Sequence, residues 1–443
     1  MKFQVATEPT QLEIKAMIET IEASSGVVMG IDGSKYLANF DDAYETFKFV
    51  NNNSYSETFI RTWKEKIDPN WDVTKIVVTF LFLTDRLRLS YGVKNVDGIN
   101  KFWYAITDAY TFEVLGGGIT DDPNGFVVGN SDSMTEYTVF KNHVWIRMQR
   151  ASQTVVAIIN IETYQFVKFF VISNSYVGSV CGTLSITDDG CLGYVDAVNN
   201  VLYVVVLTLD AQWLPIGGIP TTHSISLGYG GNTGQRGASL YTDGEFFYTS
   251  TTPSGTQCRN AKRKFDRVAR TFTELVAYTS SGAPNPVPYA TAQRIVTLGN
   301  GIKALLRYHT TNATNGSYYE LINLGNFTQI SNGMFNNANQ SPLFDGLGVY
   351  YGEGNSPYLP IGSSYYVPYY KLVLNEETGG FSSTTKYSLA NPPSTKDGLP
   401  SLKVRFNGAG IANKNGMYIT KNSSNRFLKM ERVYNLLNYS KEV

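Results

Sequence analysis

Three histidines, four pairs of adjacent carboxylates, three cysteines and a glycine-rich loop are the places where this chain could do chemistry. His143 opens His143-Val144-Trp145-Ile146, His223 follows two threonines, and His309 ends Leu305-Leu306-Arg307-Tyr308. None has a second His or a Cys at metal-ligand spacing, so no transition-metal site is expected. Cys181, Cys191 and Cys258 are an odd set without a CxxC, which supports neither a disulfide framework nor zinc. Cys181 and Cys191 are expected to be buried free thiols. No G-x-S-x-G elbow, P-loop or G-x-G-x-x-G after a strand occurs. The loop 228–234 is rich in glycine, but no helix follows to supply anion-binding amides.

The acidic pairs are Asp41-Asp42, Asp121-Asp122, Asp188-Asp189 and Glu376-Glu377. Adjacent carboxylates can serve as acid and base, and Asp121 and Asp122 could offer oxygen ligands to Ca²⁺. All four pairs sit in turn contexts such as Asp121-Asp122-Pro123-Asn124-Gly125, where Asp caps the backbone and tolerates bends. The expectation is therefore structural: no catalytic residues, no metal and no cofactor.

Two stretches suggest binding. Residues 355–370 hold five tyrosines and three prolines, a stiff aromatic segment in which Tyr358, Tyr365 and Tyr366 are the candidate contacts for protein or sugar. Arg259, Lys262, Arg263, Lys264, Arg267 and Arg270 form the strongest charge cluster. It is expected to be a solvated hairpin from which Arg259 and Arg263 could meet an acidic neighbour.

The elements that must position these residues are mostly strands. The chain has 443 residues with 37 basic and 37 acidic side chains, and zero net charge speaks against a general nucleic-acid or polybasic membrane binder. Of its residues 42% are hydrophobic, 17% charged and 13% aromatic, with 30 Tyr and 24 Phe, which suits sheets better than helices. The apolar runs 76–83, 155–161 and 201–209 are strand-sized, far short of the roughly 20 residues that span a bilayer. Residues 1–8 lack the apolar core of a signal peptide, which predicts synthesis in a reducing cytoplasm. Residues 9–23 read as the one helix, with Pro9 in its first turn, Leu12, Met17, Ile18 and Ile21 on one face, and Ser24-Ser25-Gly26 at its end.

Beyond it a unit recurs: an apolar strand, an acidic, Asn or Gly turn, then an aromatic opening another strand. Its anchors are Phe47, Phe112, Phe166, Trp213, Phe272, Phe327, Phe381 and, more weakly, Leu436, spaced 47 to 65 residues apart. Each unit holds about four strand-like segments, and such a sheet cannot bury both its faces unless copies stack radially. The pattern predicts an all-β fold: a single β-propeller over 27–443 with seven four-stranded blades, or alternatively eight, after an arm and helix in residues 1–26.

The units resemble those of kelch-type propellers, with Gly116-Gly117 and Gly217-Gly218 similar to the kelch glycine pair. This likeness is diffuse over residues 27–440 and implies a fold without transferring functional residues. In style, the low charge, the wealth of Tyr, Asn, Gly, Ser and Thr, and the β-repeat body resemble virion proteins of tailed bacteriophages, some of which carry propellers. That resemblance implies a non-enzymatic structural or adhesion protein of the tail (nozzle, adaptor or receptor-binding), located in the virion. It would sit in a multimeric assembly with other tail proteins, its loops meeting partners or a host-surface glycan or protein. Two alternatives stand beside it: a glycan-active hydrolase, with carboxylates converging within about 5 to 10 Å at the propeller axis, and a kelch-like interaction module. Ser185 to Gly190 resembles a sialidase aspartate box without its Thr-Trp.

Overall fold

The computed structural model describes side chains for residues 57–70, 83–122 (85 excepted), 125–126, 137–175, 184–196, 200–227, 240–251, 259–277, 297–306 (299 excepted) and 320–332, and backbone strands from Val27 to Lys441. The predicted helix at 9–23, Asp41-Asp42, Cys181, loop 228–234 and Glu376-Glu377 lie outside the described residues.

The strands fold in chain order into antiparallel four-stranded sheets. Sheet 1 holds Thr79–Phe82, Leu87–Val96, Ile99–Asp108 and Val114–Ile119. Sheet 2 holds Tyr137–Phe140, His143–Arg150, Gln153–Asn160 and Phe166–Ser173. Sheet 3 holds Ser185–Ile186, Cys191–Asp196, Val201–Val206 and Thr222–Ser226. Sheet 4 runs from Ala238–Thr242 to Thr271–Ser280, sheet 5 from Tyr289–Thr297 to Gln329–Phe335, and sheet 6 from Leu343–Asp345 to Phe381–Leu389. In a further sheet Ala43–Val50, from the N-terminal part of the chain, pairs with Phe427–Leu436, from the C-terminal part, Phe47 opposite Arg432, beside Tyr418–Lys421. Lys35–Ala38 pairs likewise with Tyr439–Lys441. The two chain ends are thus zipped together by backbone hydrogen bonds, which closes a meander of sheets into a β-propeller.

Apolar side chains on both faces of each strand explain why the sheets stack. In sheet 2, Val144, Ile146, Val155, Ala157 and Ile159 pack on Leu89, Tyr91, Phe102 and Tyr104 of sheet 1. Their neighbours in sequence, Trp145, Val156 and Ile158, pack on Leu192, Tyr194 and Val205 of sheet 3. The two-residue side-chain period sends successive residues to opposite faces, so runs such as Val155 to Ile159 are buried throughout. Sheet 3 meets sheet 4 through Val204, Leu240 and Phe247, and sheet 4 meets sheet 5 through Tyr248, Ile322 and Phe327.

The repeated turn has a local cause. Asp108 Oδ1 accepts the amides of Tyr110 and Thr111, and Asn160, Asp210 and Asp266 do the same for amides two to four residues on. Asn323 accepts the amide of Gly325. Phe112, Tyr164, Trp213, Arg270 and Phe327 follow in the left-handed region at φ between 56 and 63°. A short polar side chain organises the bend, and one residue at positive φ redirects the chain into the next strand. A register shift precedes the turn in sheets 1, 2, 4 and 5.

Three expectations are corrected. Trp213 does not open the fourth strand of sheet 3, which begins at Thr222; it lies in an inserted hairpin, Thr208–Leu209 with Pro215–Ile216. Phe427–Leu436 is one unbroken strand, so Leu436 ends a strand rather than opening one after a turn. Helix α1 (Asn53–Lys66) stands where only strands were expected. Its Phe59 and Trp63, four residues apart and both buried, share one face and pack against Trp103 and Val114. Thr62 Oγ1 accepts the amide of Val114 at 2.9 Å, tying α1 to the fourth strand of sheet 1.

Candidate functional site

The joint between sheets 1 and 2 opens into a cleft of about 460 Å³. Val114–Ile119 is the edge strand of sheet 1, and three consecutive glycines there let other groups approach. A Cβ on Gly117 would lie 2.5 Å from the carbonyl oxygen of Tyr104, whereas one on Gly118 would meet nothing within 4 Å. The missing side chain at Gly118 keeps the cleft open.

Aromatic rings form one wall: Tyr104, Phe166 and Phe169. Phe166 and Phe169 stand 4.6 Å apart between ring centres and are half-buried, and Phe169 also packs edge-on against Phe102 at 5.9 Å. Tyr104 presents only its ring, because its hydroxyl accepts the amide of Phe166 at 2.7 Å and donates to the carbonyl of Tyr164 at 3.2 Å. Burial raises its pKa above the usual tyrosine value.

The other end carries the sequence-predicted pair Asp121-Asp122, which diverges. Asp121 is 97% exposed and meets Lys101 Nζ at 3.1 Å. Asp122 is buried and meets Arg150 Nη1 at 2.8 Å, and Arg150 Nη2 reaches Gln153. Each carboxylate thus has its own cation, so this end of the cleft is polar but charge-balanced. A resident Ca²⁺ would have to compete with both pairs. No signal in the sequence marked the cleft as a whole, since its walls come from two sheets.

The remaining acids hold structure. Asp188 pairs with Lys141 at 3.1 Å while its amide donates to Gly244, and Asp189 accepts from Thr187. Burial pushes the Asp108 carboxyl up, yet the Thr111 amide, the Arg86 guanidinium at 2.7 Å and the Tyr110 amide outweigh it and hold its pKa low. Among the described residues no group of three or more His, Cys, Asp or Glu gathers. Cys191 is a buried free thiol, as expected, its pKa pushed up to about 12 by burial and by Asp189. His143 is buried beside Asn160, and burial lowers its pKa. His223 packs on Phe265.

The basic run does lie on a hairpin, Gln257–Asp266 with Thr271–Ser280, with Lys264 and Arg270 exposed, but it is solvated only in part. Arg263 is 1% exposed: its guanidinium donates to Glu274 at 2.6 Å and to Thr249 Oγ1. Arg259 reaches the other oxygen of Glu274 at 2.7 Å and the carbonyl of Leu227. Lys262 lies over the Phe246 ring at 4.0 Å, and Arg267 donates to the carbonyls of Asp189 and Leu207 in sheet 3. Alternation along Gln257–Asp266 turns Arg263 inward, which sequence charge alone does not reveal.

Of the tyrosine candidates, Tyr358 begins the short strand Tyr358–Leu359 opposite Leu402–Lys403, and Tyr366 begins Tyr366–Leu374 in sheet 6. Tyr365, and the side chains of Tyr358 and Tyr366, lie outside the described residues. Surface apolar groups gather instead on the insertion in sheet 3, where Trp213, Ile216 and Ile219 are 40 to 46% exposed and Lys141 covers the indole at 4.8 Å.

No protein-family description and no curated protein matches the chain. Among solved structures it is similar to a putative 6-phosphogluconolactonase of Bacteroides fragilis, at 12% identity over 71% of this chain and 84% of that one, with a TM-score of 0.45. It is also similar to a periplasmic gluconolactonase of Pseudomonas aeruginosa, at 12% identity over 71% and 86% with a TM-score of 0.41. The Dos1 propeller matches at 9% identity over 81% and 93%, with a TM-score of 0.40.

Proposed function

We propose that this protein is a non-enzymatic structural or adhesion component of a tailed-bacteriophage particle, working in the tail as part of a multimeric assembly. The observation that carries the binding role is the insertion in sheet 3. It leaves Trp213, Ile216 and Ile219, within seven residues of one another in sequence, 40 to 46% exposed on a sheet that is otherwise packed on both faces. Clustered exposed apolar groups on a rigid scaffold suit a protein partner. Composition and the virion-like repeat style support the particle setting. The pairing of Ala43–Val50 with Phe427–Leu436 supports a ring of seven blades in which both chain ends complete the last one. Among the described residues the hydrolase alternative is less favoured, because Asp108, Asp122, Asp188 and Asp266 are committed to turns or ion pairs.

The test is mass spectrometry of purified particles encoded with this chain, beside cryo-EM of the protein alone. Stoichiometric presence in the tail, with Trp213 covered by a neighbour, is the expected result. Absence from particles, together with hydrolysis of a glycan by the isolated protein, would replace this reading with the enzyme.

A further inference from the structure

We infer that the cleft between sheets 1 and 2 is a binding site for a neutral sugar ring. A pyranose has an apolar face of C–H groups and a polar rim, and the cleft has the matching division. The half-buried rings of Phe166 and Phe169 offer an apolar wall. Gly118 on the edge strand and the exposed Asp121 line the same cleft and offer hydrogen-bonding groups. Its volume of about 460 Å³ lies within the usual range for small-ligand sites, which are mostly apolar with a few fixed polar groups.

Charge selects among ligands. A cationic amine would be drawn to aromatic rings beside free carboxylates. Here Asp121 and Asp122 are already paired with Lys101 and Arg150, so a cation gains little. An anion would have to displace Asp121 from Lys101 or Asp122 from Arg150 to meet a cation at this end of the cleft, and it gains as little. A neutral, amphipathic ring meets neither obstacle. The cleft shares no lining residue with the exposed Trp213 segment, although Lys168 between Phe166 and Phe169 donates to the Pro215 carbonyl there. The inference stands apart from the virion reading: either can fail without the other.

The experiment is saturation-transfer NMR on the full chain, with the methyl glycosides of glucose, galactose and N-acetylglucosamine as probes and choline and inorganic phosphate as comparisons. Transfer to ring C–H protons of at least one glycoside is expected. Gly118→Leu, which projects into open space, should weaken that binding at least tenfold with an unchanged circular-dichroism spectrum. Gly218→Leu, equally open but in the sheet 3 insertion, should leave it intact. Should Gly118→Leu fail to fold, Asp121→Arg at the exposed rim takes its place, with the same loss expected. No transfer to any glycoside, transfer to choline or phosphate in preference, or equal binding in the cleft variants would overturn the site.

Discussion

The side-chain amide of Asn260 donates to the carboxylate of Glu320 at 3.2 Å across the joint between sheets 4 and 5, and neither residue has any exposed surface. A buried polar contact of this kind joins two sheets held mainly by apolar packing, beside a hydrogen bond from Lys262 to the Leu324 carbonyl. Losing one partner leaves the other short of a hydrogen bond away from water, at about 1–3 kcal/mol. Glu320→Leu and Asn260→Leu should each destabilise the protein by that amount in urea unfolding. The double variant should cost less than the sum, with a coupling of about 0.5–3 kcal/mol; strict additivity would show that the contact carries no energy.

Helix α1 supports the same edge strand that lines the cleft. Trp63 meets Trp103 edge-on at 5.2 Å, and both are buried. Trp63→Ala should lower stability by about 3–5 kcal/mol. Gly117→Ala would force a methyl against the Tyr104 carbonyl and Ile67, costing about 1–3 kcal/mol. Thermal unfolding of the two variants reads both effects, and an unchanged midpoint for Gly117→Ala would contradict the close approach.

Arg270 is exposed and sits at φ 62° after the Asp266 turn. A residue with a Cβ is strained there and glycine is not, although glycine loses more entropy on folding. Arg270→Gly should therefore stabilise by about 0.5–1 kcal/mol, while Arg270→Val should destabilise. Chemical denaturation decides, and the opposite order would refute the turn geometry.

The pH dependence has a definite sign at Asp108. Its folded pKa lies below an unfolded value of about 3.9, so its contribution is complete above that value and fades as pH falls through the folded one. Asn stands at the corresponding position of the turn in sheets 2 and 5, as Asn160 and Asn323. Asp108→Asn should thus keep the amide hydrogen bonds of the turn, but it gives up both the pairing with the largely exposed Arg86 and the negative charge felt by the fully buried Arg88, so its midpoint at neutral pH should fall below that of the wild type. Below pH 4 its stability should fall less steeply than that of the wild type. A parallel fall in both proteins would remove Asp108 from the acid response.

Most strands, their four-stranded grouping in sheets 1, 2, 4 and 5 and the turn that repeats between them were legible in the sequence, while the insertion around Trp213 and helix α1 were not. These are local matters: Asp108 reaches amides two and three residues on, and the two-residue alternation of Val155 to Ile159 is written in consecutive positions. The spacing of Phe59 and Trp63 was also visible, yet their burial depends on Trp103 and Val114, 40 to 55 residues away.

Only the tertiary structure decided the rest. It turned Arg263 inward onto Glu274, split Asp121 from Asp122, opened a cleft whose walls belong to different sheets, and brought Phe47 opposite Arg432 to join the chain ends. The physical reason is that burial and charge pairing depend on which sheet faces which. That is set by the summed packing of many side chains far apart in sequence, which no local spacing encodes.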